Sequence, residues 1–154
     1  VKAELAEDTY ENFLCIGHYF VPGAEQLLET LHGKYHLYIC SNGSKKVQDS
    51  RIASSGISKC FDGIFISEEL GLNKPDKRYF EACFAQIPDF KRESSIMVGD
   101  SLTSDIKGAH NAGLRSVWFN PAHKAMTGDA APDYEIDALE KLPILLAELS
   151  EVSE

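Results

Sequence analysis

The strongest constraint on how this chain folds is a repeated succession. A short, unbroken apolar run is followed by a polar turn, and the turn by a stretch with helical spacing. Residues 35–40 (YHLYIC), 63–67 (GIFIS), 95–99 (SIMVG) and 115–119 (RSVWF) are such runs, and 133–136 supplies a weaker fifth. Their composition favours strands. Because the runs are continuous rather than alternating, they suit strands covered on both faces. Strands alternating with helices predict α/β architecture with a doubly wound parallel sheet.

The intervening segments read as helices. Residues 3–14 place Leu5, Ala6, Tyr10, Phe13 and Leu14 at helical spacing. Val21-Pro22-Gly23 opens a second helix with Pro22 in its first turn, and Gly33 stops it. Ser44 caps a helix over 45–54 that Gly56 terminates. A helix over 76–86 gathers Tyr79, Phe80, Cys83 and Phe84 on one face, and Gly113 closes a helix over 103–111. A last helix, 140–149, is interrupted near its start by Pro143, and 120–132 reads as a loop.

In a doubly wound sheet, ligands bind beyond the carboxyl ends of the strands, so the residues just past each run matter most. The first run ends in Ser41-Asn42-Gly43. A hydroxyl and turn amides leading into a helix can hold an anion, although a capped turn has the same composition. Past the second run, Lys74 precedes Pro75, which biases its backbone to be extended and can direct its ammonium into the strand-end cleft, although a solvated surface lysine has the same pattern. Past the third run come Asp100, reached through Gly99, and Asp105 in the first turn of the next helix. Two carboxylates at one edge repel unless a cation or hydrogen bonds compensate, and hard oxygen donors suit Mg²⁺. A helix-dipole role for Asp105 is the plainer alternative. Taken together, the hydroxyl, the lysine and the carboxylates are the electrostatic parts that phosphoryl transfer requires.

Charge and cysteine usage narrow the class. Fifteen Lys and Arg stand against 24 Asp and Glu, a formal net charge of −9. This argues against a nucleic-acid partner, which needs a basic face, and is compatible with a cation site. A length of 154 residues fits one domain. The longest apolar runs are too short to span a membrane. Cys15, Cys40, Cys60 and Cys83 show no close pairing, which predicts a reducing, cytoplasmic setting. His18, His32, His36, His110 and His123 lack metal-ligand spacing and read as structural or surface residues. Trp118 reads as core, and Asn120 as a residue able to line the pocket.

From 21 to about 149, the chain resembles the haloacid dehalogenase superfamily of phosphohydrolases. YICSNGS looks like that family's second motif, LNKPDKRYF like its third, and SIMVGDSLTSDIKGAHNAGL like its fourth. The look-alikes fall in the subfamily with a helical cap, including nucleoside-monophosphate phosphatases. The resemblance implies a three-layer α/β/α fold and hydrolysis of a small phosphorylated metabolite through an aspartyl-phosphate. It implies that Ser41 and the Asn42 amide bind the phosphoryl group, and that Lys74 holds phosphate and nucleophile in register. It further implies that Asp100 ligates Mg²⁺, while Asp105 orients the metal's waters or binds the metal. Dehalogenase members lack the Gly-Asp of the fourth motif, so Gly99-Asp100 favours a phosphatase.

The family's first motif, an apolar strand ending in Asp-x-Asp, does not occur. Asp8 is the one early candidate, and it sits in a helical pattern without a second Asp two positions on. The resemblance therefore implies that 1–20 is the end of a cap and that 21–154 is a core lacking its first, central strand. The non-Met start at Val1 agrees with that. Such a chain is expected to be inactive on its own, and to be poorly stable alone, swapped with a second copy or completed by an upstream segment, because unpaired strand edges invite association. Two other readings stand beside the phosphatase. One is a non-catalytic relative that binds phosphate or a partner, and the other is an unrelated flavodoxin-like binding domain.

Overall fold

The computed structural model describes residues 19–151; the expected helix over 3–14 lies outside them. The elements in chain order are α1 (Ala24–Leu31), β1 (Tyr38–Ser41), α2 (Lys45–Ser55), β2 (Gly63–Ile66), the single turn α3 (Ser67–Leu70) and α4 (Lys77–Phe84). They continue with β3 (Ile96–Gly99), a π-helical turn over Leu102–Ile106, α5 (Lys107–Ala112), β4 (Arg115–Phe119), β5 (Tyr134–Ile136) and α6 (Leu142–Glu151).

Every strand pair is parallel. The strands form two sheets, β1-β2 and β3-β4-β5. Tyr38 registers on Gly63 and Ser41 on Ile66, while Gly99 registers on Trp118 and Phe119 on Ile136. Among the described residues, no strand joins β1 to β3, so these two edges face each other unpaired.

The strand faces explain the layering. Tyr38 and Cys40 of β1, Phe65 of β2 and Met97 of β3 pack against Tyr79, Phe80 and Cys83 of α4 and Ala112 of α5. Their neighbours in sequence, Ile96 and Val98, point the opposite way. They join Val117, Phe119, Tyr134 and Ile136 against Leu27 and Leu31 of α1 and Leu142, Leu145 and Leu146 of α6. One helix layer thus covers both sheets, and the other covers the three-stranded sheet. The α/β/α expectation with parallel strands is met.

Several local expectations hold for local reasons. Ser44 Oγ accepts from the Val47 amide, and Gly56 closes α2 at φ 70°. Three differences stand out. Pro22 is not in the first turn of α1, because Gly23, at φ 83°, stands between it and the helix. The first strand begins at Tyr38 rather than at residue 35: Asp62 closes a two-way bridge with Leu37, and regular pairing starts one residue later. Pro143 does not interrupt α6; it occupies the first turn, where no intrahelical N–H is needed.

Candidate active site

The site lies between the unpaired edges of β1 and β3, at their carboxyl ends. It is an open cleft of about 380 Å³ lined by Cys40, Ser41 and Asn42 on one side, Gly99, Asp100 and Ser101 on the other, and Lys74 and Asp105 at its base. All five residues singled out from the sequence therefore come together. They arrive from three loops because parallel strands present their carboxyl ends on one side.

Lys74 is 8% exposed and Asp105 6%, which makes them an ion pair largely withdrawn from water. Lys74 Nζ donates to Asp105 Oδ1 at 2.6 Å and to the Cys40 carbonyl at 2.6 Å. Asp105 Oδ2 accepts from the Ser101 amide at 3.1 Å. Both oxygens of Asp105 are thus engaged by protein donors. An ammonium carries three N–H donors, and these bonds use two of them.

The turn carrying Asp105 is wider than an α-turn. The Ser101 carbonyl accepts from the Ile106 amide at 3.1 Å and from the Asp105 amide at 2.9 Å, while Ser101 Oγ accepts from the Ser104 amide at 3.2 Å. This folds Asp105 back over Gly99. A Cβ at Gly99 would overlap the Asp105 carboxylate, so only glycine admits this approach.

Asp100 is exposed at the end of β3. Trp118, 3% exposed, donates its indole N–H to the Asp100 carbonyl at 3.0 Å and so ties the turn after β3 to β4. Among the described residues, no hydrogen bond or ion pair engages the Asp100 carboxylate, and no three His, Cys, Asp or Glu side chains cluster as a metal cage. One free carboxylate beside hydroxyls at an open cleft fits Mg²⁺, which takes one or two carboxylates and fills its remaining positions with water and phosphate oxygens.

The β1 turn is braced from two directions. The Asn42 carboxamide donates to the Lys74 carbonyl and accepts from the Lys74 amide, both at 2.9 Å. The Gly43 amide donates to Ser67 Oγ at 3.0 Å. Sequence reasoning assigned Asn42 a role through its backbone amide; its side-chain bonds reach across 32 residues and have no local signal. Nor does the cleft include Asn120. Its side chain instead donates to Glu135 Oε1 and the Lys124 carbonyl and accepts from the Lys124 amide, closing the loop after β4. Beneath the site, the Tyr79 hydroxyl donates to the Phe65 carbonyl at 2.8 Å, and burial pushes that phenol far above its usual range. The Cys83 thiol is raised by its hydrogen bond with Cys40 and by burial. Both stay neutral.

The haloacid dehalogenase-like hydrolase profile matches residues 2–119. The HAD-hydrolase YfnB of Bacillus subtilis is 43% identical over 138 residues, spanning 90% of this chain and 59% of its own length. The pyrimidine 5'-nucleotidase PynA of Streptococcus pneumoniae is 39% identical, over 86% of this chain and 56% of its own length. The crystal structure of YfnB bound to magnesium superposes with a TM-score of 0.89 at 42% identity, covering 92% of this chain and 62% of that one. A 2-haloacid dehalogenase structure from Pseudomonas syringae gives 0.80 at 32% identity, covering 94% and 61%. The chain therefore spans less than two thirds of these relatives' lengths. With its motifs converging on one strand-end cleft, the chain belongs to the haloacid dehalogenase-like hydrolase family.

Proposed function

We propose that the cleft binds the phosphoryl group of a small phosphorylated metabolite and belongs to a Mg²⁺-dependent phosphomonoesterase. The observation that carries this reading is the placement of Lys74. Its buried ammonium is pinned by Asp105 and the Cys40 carbonyl, has one donor left, and lines the same cleft as Ser41 and Asp100. That arrangement fixes a positive charge where three phosphoryl oxygens would accept hydrogen bonds, without reorganisation when they arrive. Ser41 Oγ and the Asn42 backbone amide supply further donors. Asp100 would hold Mg²⁺, which would supply charge neutralisation for the phosphoryl group. Asp105 acts on the site by holding Lys74 and the Ser101 turn. The PynA nucleotidase supports a phosphate ester as the substrate class.

The nucleophile is a separate matter. Among the described residues, the carboxylates lining the cleft are Asp100, on the metal side, and Asp105, whose oxygens are both occupied. No Asp-x-Asp occurs in the 154 residues. We therefore take the chain to hold the phosphate and metal half of the centre, with 1–20 as the end of a cap and 21–154 as the core. Aspartyl-phosphate chemistry needs an attacking carboxylate that this sequence does not supply. The test is titration of the chain with orthophosphate, with and without Mg²⁺, alongside a phosphomonoester assay. Phosphate binding enhanced by Mg²⁺, with no turnover, is the expected result. Turnover that survives Asp8→Asn would refute the account of the nucleophile, and absence of phosphate binding would refute the cradle.

A further inference from the structure

We infer that Asn42 is a positioning residue: its carboxamide clamps the Lys74 peptide and so sets where the Lys74 ammonium stands in the cleft. This rests on the phosphate-cradle reading above. A carboxamide offers one acceptor and one N–H donor side by side. The backbone of a single residue offers the complementary pair only where its N–H and C=O, which belong to successive peptide groups, are both turned to the same partner. Here Asn42 Oδ1 takes the Lys74 N–H and Nδ2 serves the Lys74 C=O, both at 2.9 Å. The opposite amide orientation would set donor against donor, so the network fixes it.

The clamp matters because of what the other end of Lys74 does. Nζ reaches the Cys40 carbonyl, two residues before Asn42 on the same strand-turn unit, and Asp105 on the β3 side. Lys74 is thus tied at backbone and tip to the β1 turn, and at its tip to the π-helical turn. Without the carboxamide, the loop carrying Lys74 loses its two backbone bonds to β1, and the ammonium keeps only its tip contacts. A flexible lysine stem would then sample positions that no longer meet a phosphate. Asn42 itself is exposed, so its removal opens no core cavity.

The test uses the full chain with inorganic phosphate as probe. Asn42→Ala keeps the backbone amide proposed for phosphate contact, so any loss belongs to the side chain. Roughly tenfold weaker phosphate binding is expected, equivalent to about 1.4 kcal/mol. Three readouts are expected together: that loss, accelerated hydrogen exchange at the Lys74 amide, and a shifted Lys74 ¹⁵Nζ resonance, with global melting changed by only a few degrees. The ¹⁵Nζ signal is one that a purely structural role would leave in place. Asn42→Asp keeps the acceptor for the Lys74 N–H and is expected to show intermediate amide exchange, which covers the case of an alanine variant that does not fold. Wild-type phosphate affinity and an unshifted Lys74 signal in Asn42→Ala would overturn the inference. Should the wild type bind no phosphate, the cradle reading fails, and the Lys74 amide exchange and ¹⁵Nζ signals still decide the clamp.

Discussion

At the scale of single residues, the site is governed by close approach and by charge kept from water. Gly99→Ala forces a methyl group into a carboxylate fixed by Lys74 and the Ser101 amide, so neither side can yield cheaply. Overpacking of this kind costs about 1–3 kcal/mol, and thermal melting should show it as a clear drop. Lys74→Met is expected to be worse, at about 3–5 kcal/mol, because it strands the Asp105 charge in a buried position. Adding Asp105→Asn to it should recover most of the stability while phosphate binding stays lost, a separation readable by melting and titration on the same samples. The residues of this cluster were legible in the sequence because each follows an apolar run and carries chemistry of its own. Their mutual bonds were not. The bond from Asp105 to Lys74 spans 31 positions and that from the Asn42 side chain 32, so neither leaves a local signal.

At the scale of elements, opposing effects decide two outcomes. Helix propensity alone makes Gly108→Ala in α5 favourable by about 1 kcal/mol. A Cβ there would stand 2.6 Å from the buried Phe80 ring, with the Pro75 backbone at 3.4 Å behind it. Phe80 is 1% exposed and has little freedom to move, so packing should win and the variant should melt lower. The start of the first sheet depends on a carboxylate. The Asp62 carboxyl lies below its usual range, chiefly because it accepts the Leu37 N–H. Its folded pKa is thus below its unfolded one, and the unfolded chain binds more protons between the two. The stabilisation is therefore complete above the unfolded value and is lost as pH falls through the folded value. Asp62→Asn should flatten this acid limb in melting curves recorded from neutral to acid pH. Caps such as Ser44 and Gly56 were legible because they depend on adjacent residues. The strand start at Tyr38 was not, because Asp62 sets it from elsewhere in the chain.

At the scale of the whole molecule, the two sheets meet at a cleft rather than through strand pairing. A ligand touching Ser41 on one side and Asp100 on the other would bridge them. Saturating Mg²⁺ with orthophosphate at about 100 times its dissociation constant should stabilise the fold by about 2.7 kcal/mol, and Asp100→Asn should remove the Mg²⁺-dependent part of the melting shift. Among the described residues no strand pairs with the facing edges of β1 and β3, and the expectation of self-association is checked by light scattering across concentration. The layers on the two sides of the sheets are unequal in one further respect. Among the described residues, the α4 and α5 cluster touches β1, β2 and β3 together, whereas the α1 and α6 cluster meets that side at Leu37, just before β1. Tolerance to sequence drift should be correspondingly lopsided. Substitutions along α1 and α6 can accumulate with only local repacking, while those along α4 and α5 disturb both banks of the cleft at once. A saturation library scored for folding should therefore be most depleted at Tyr79, Phe80, Cys83 and Ala112.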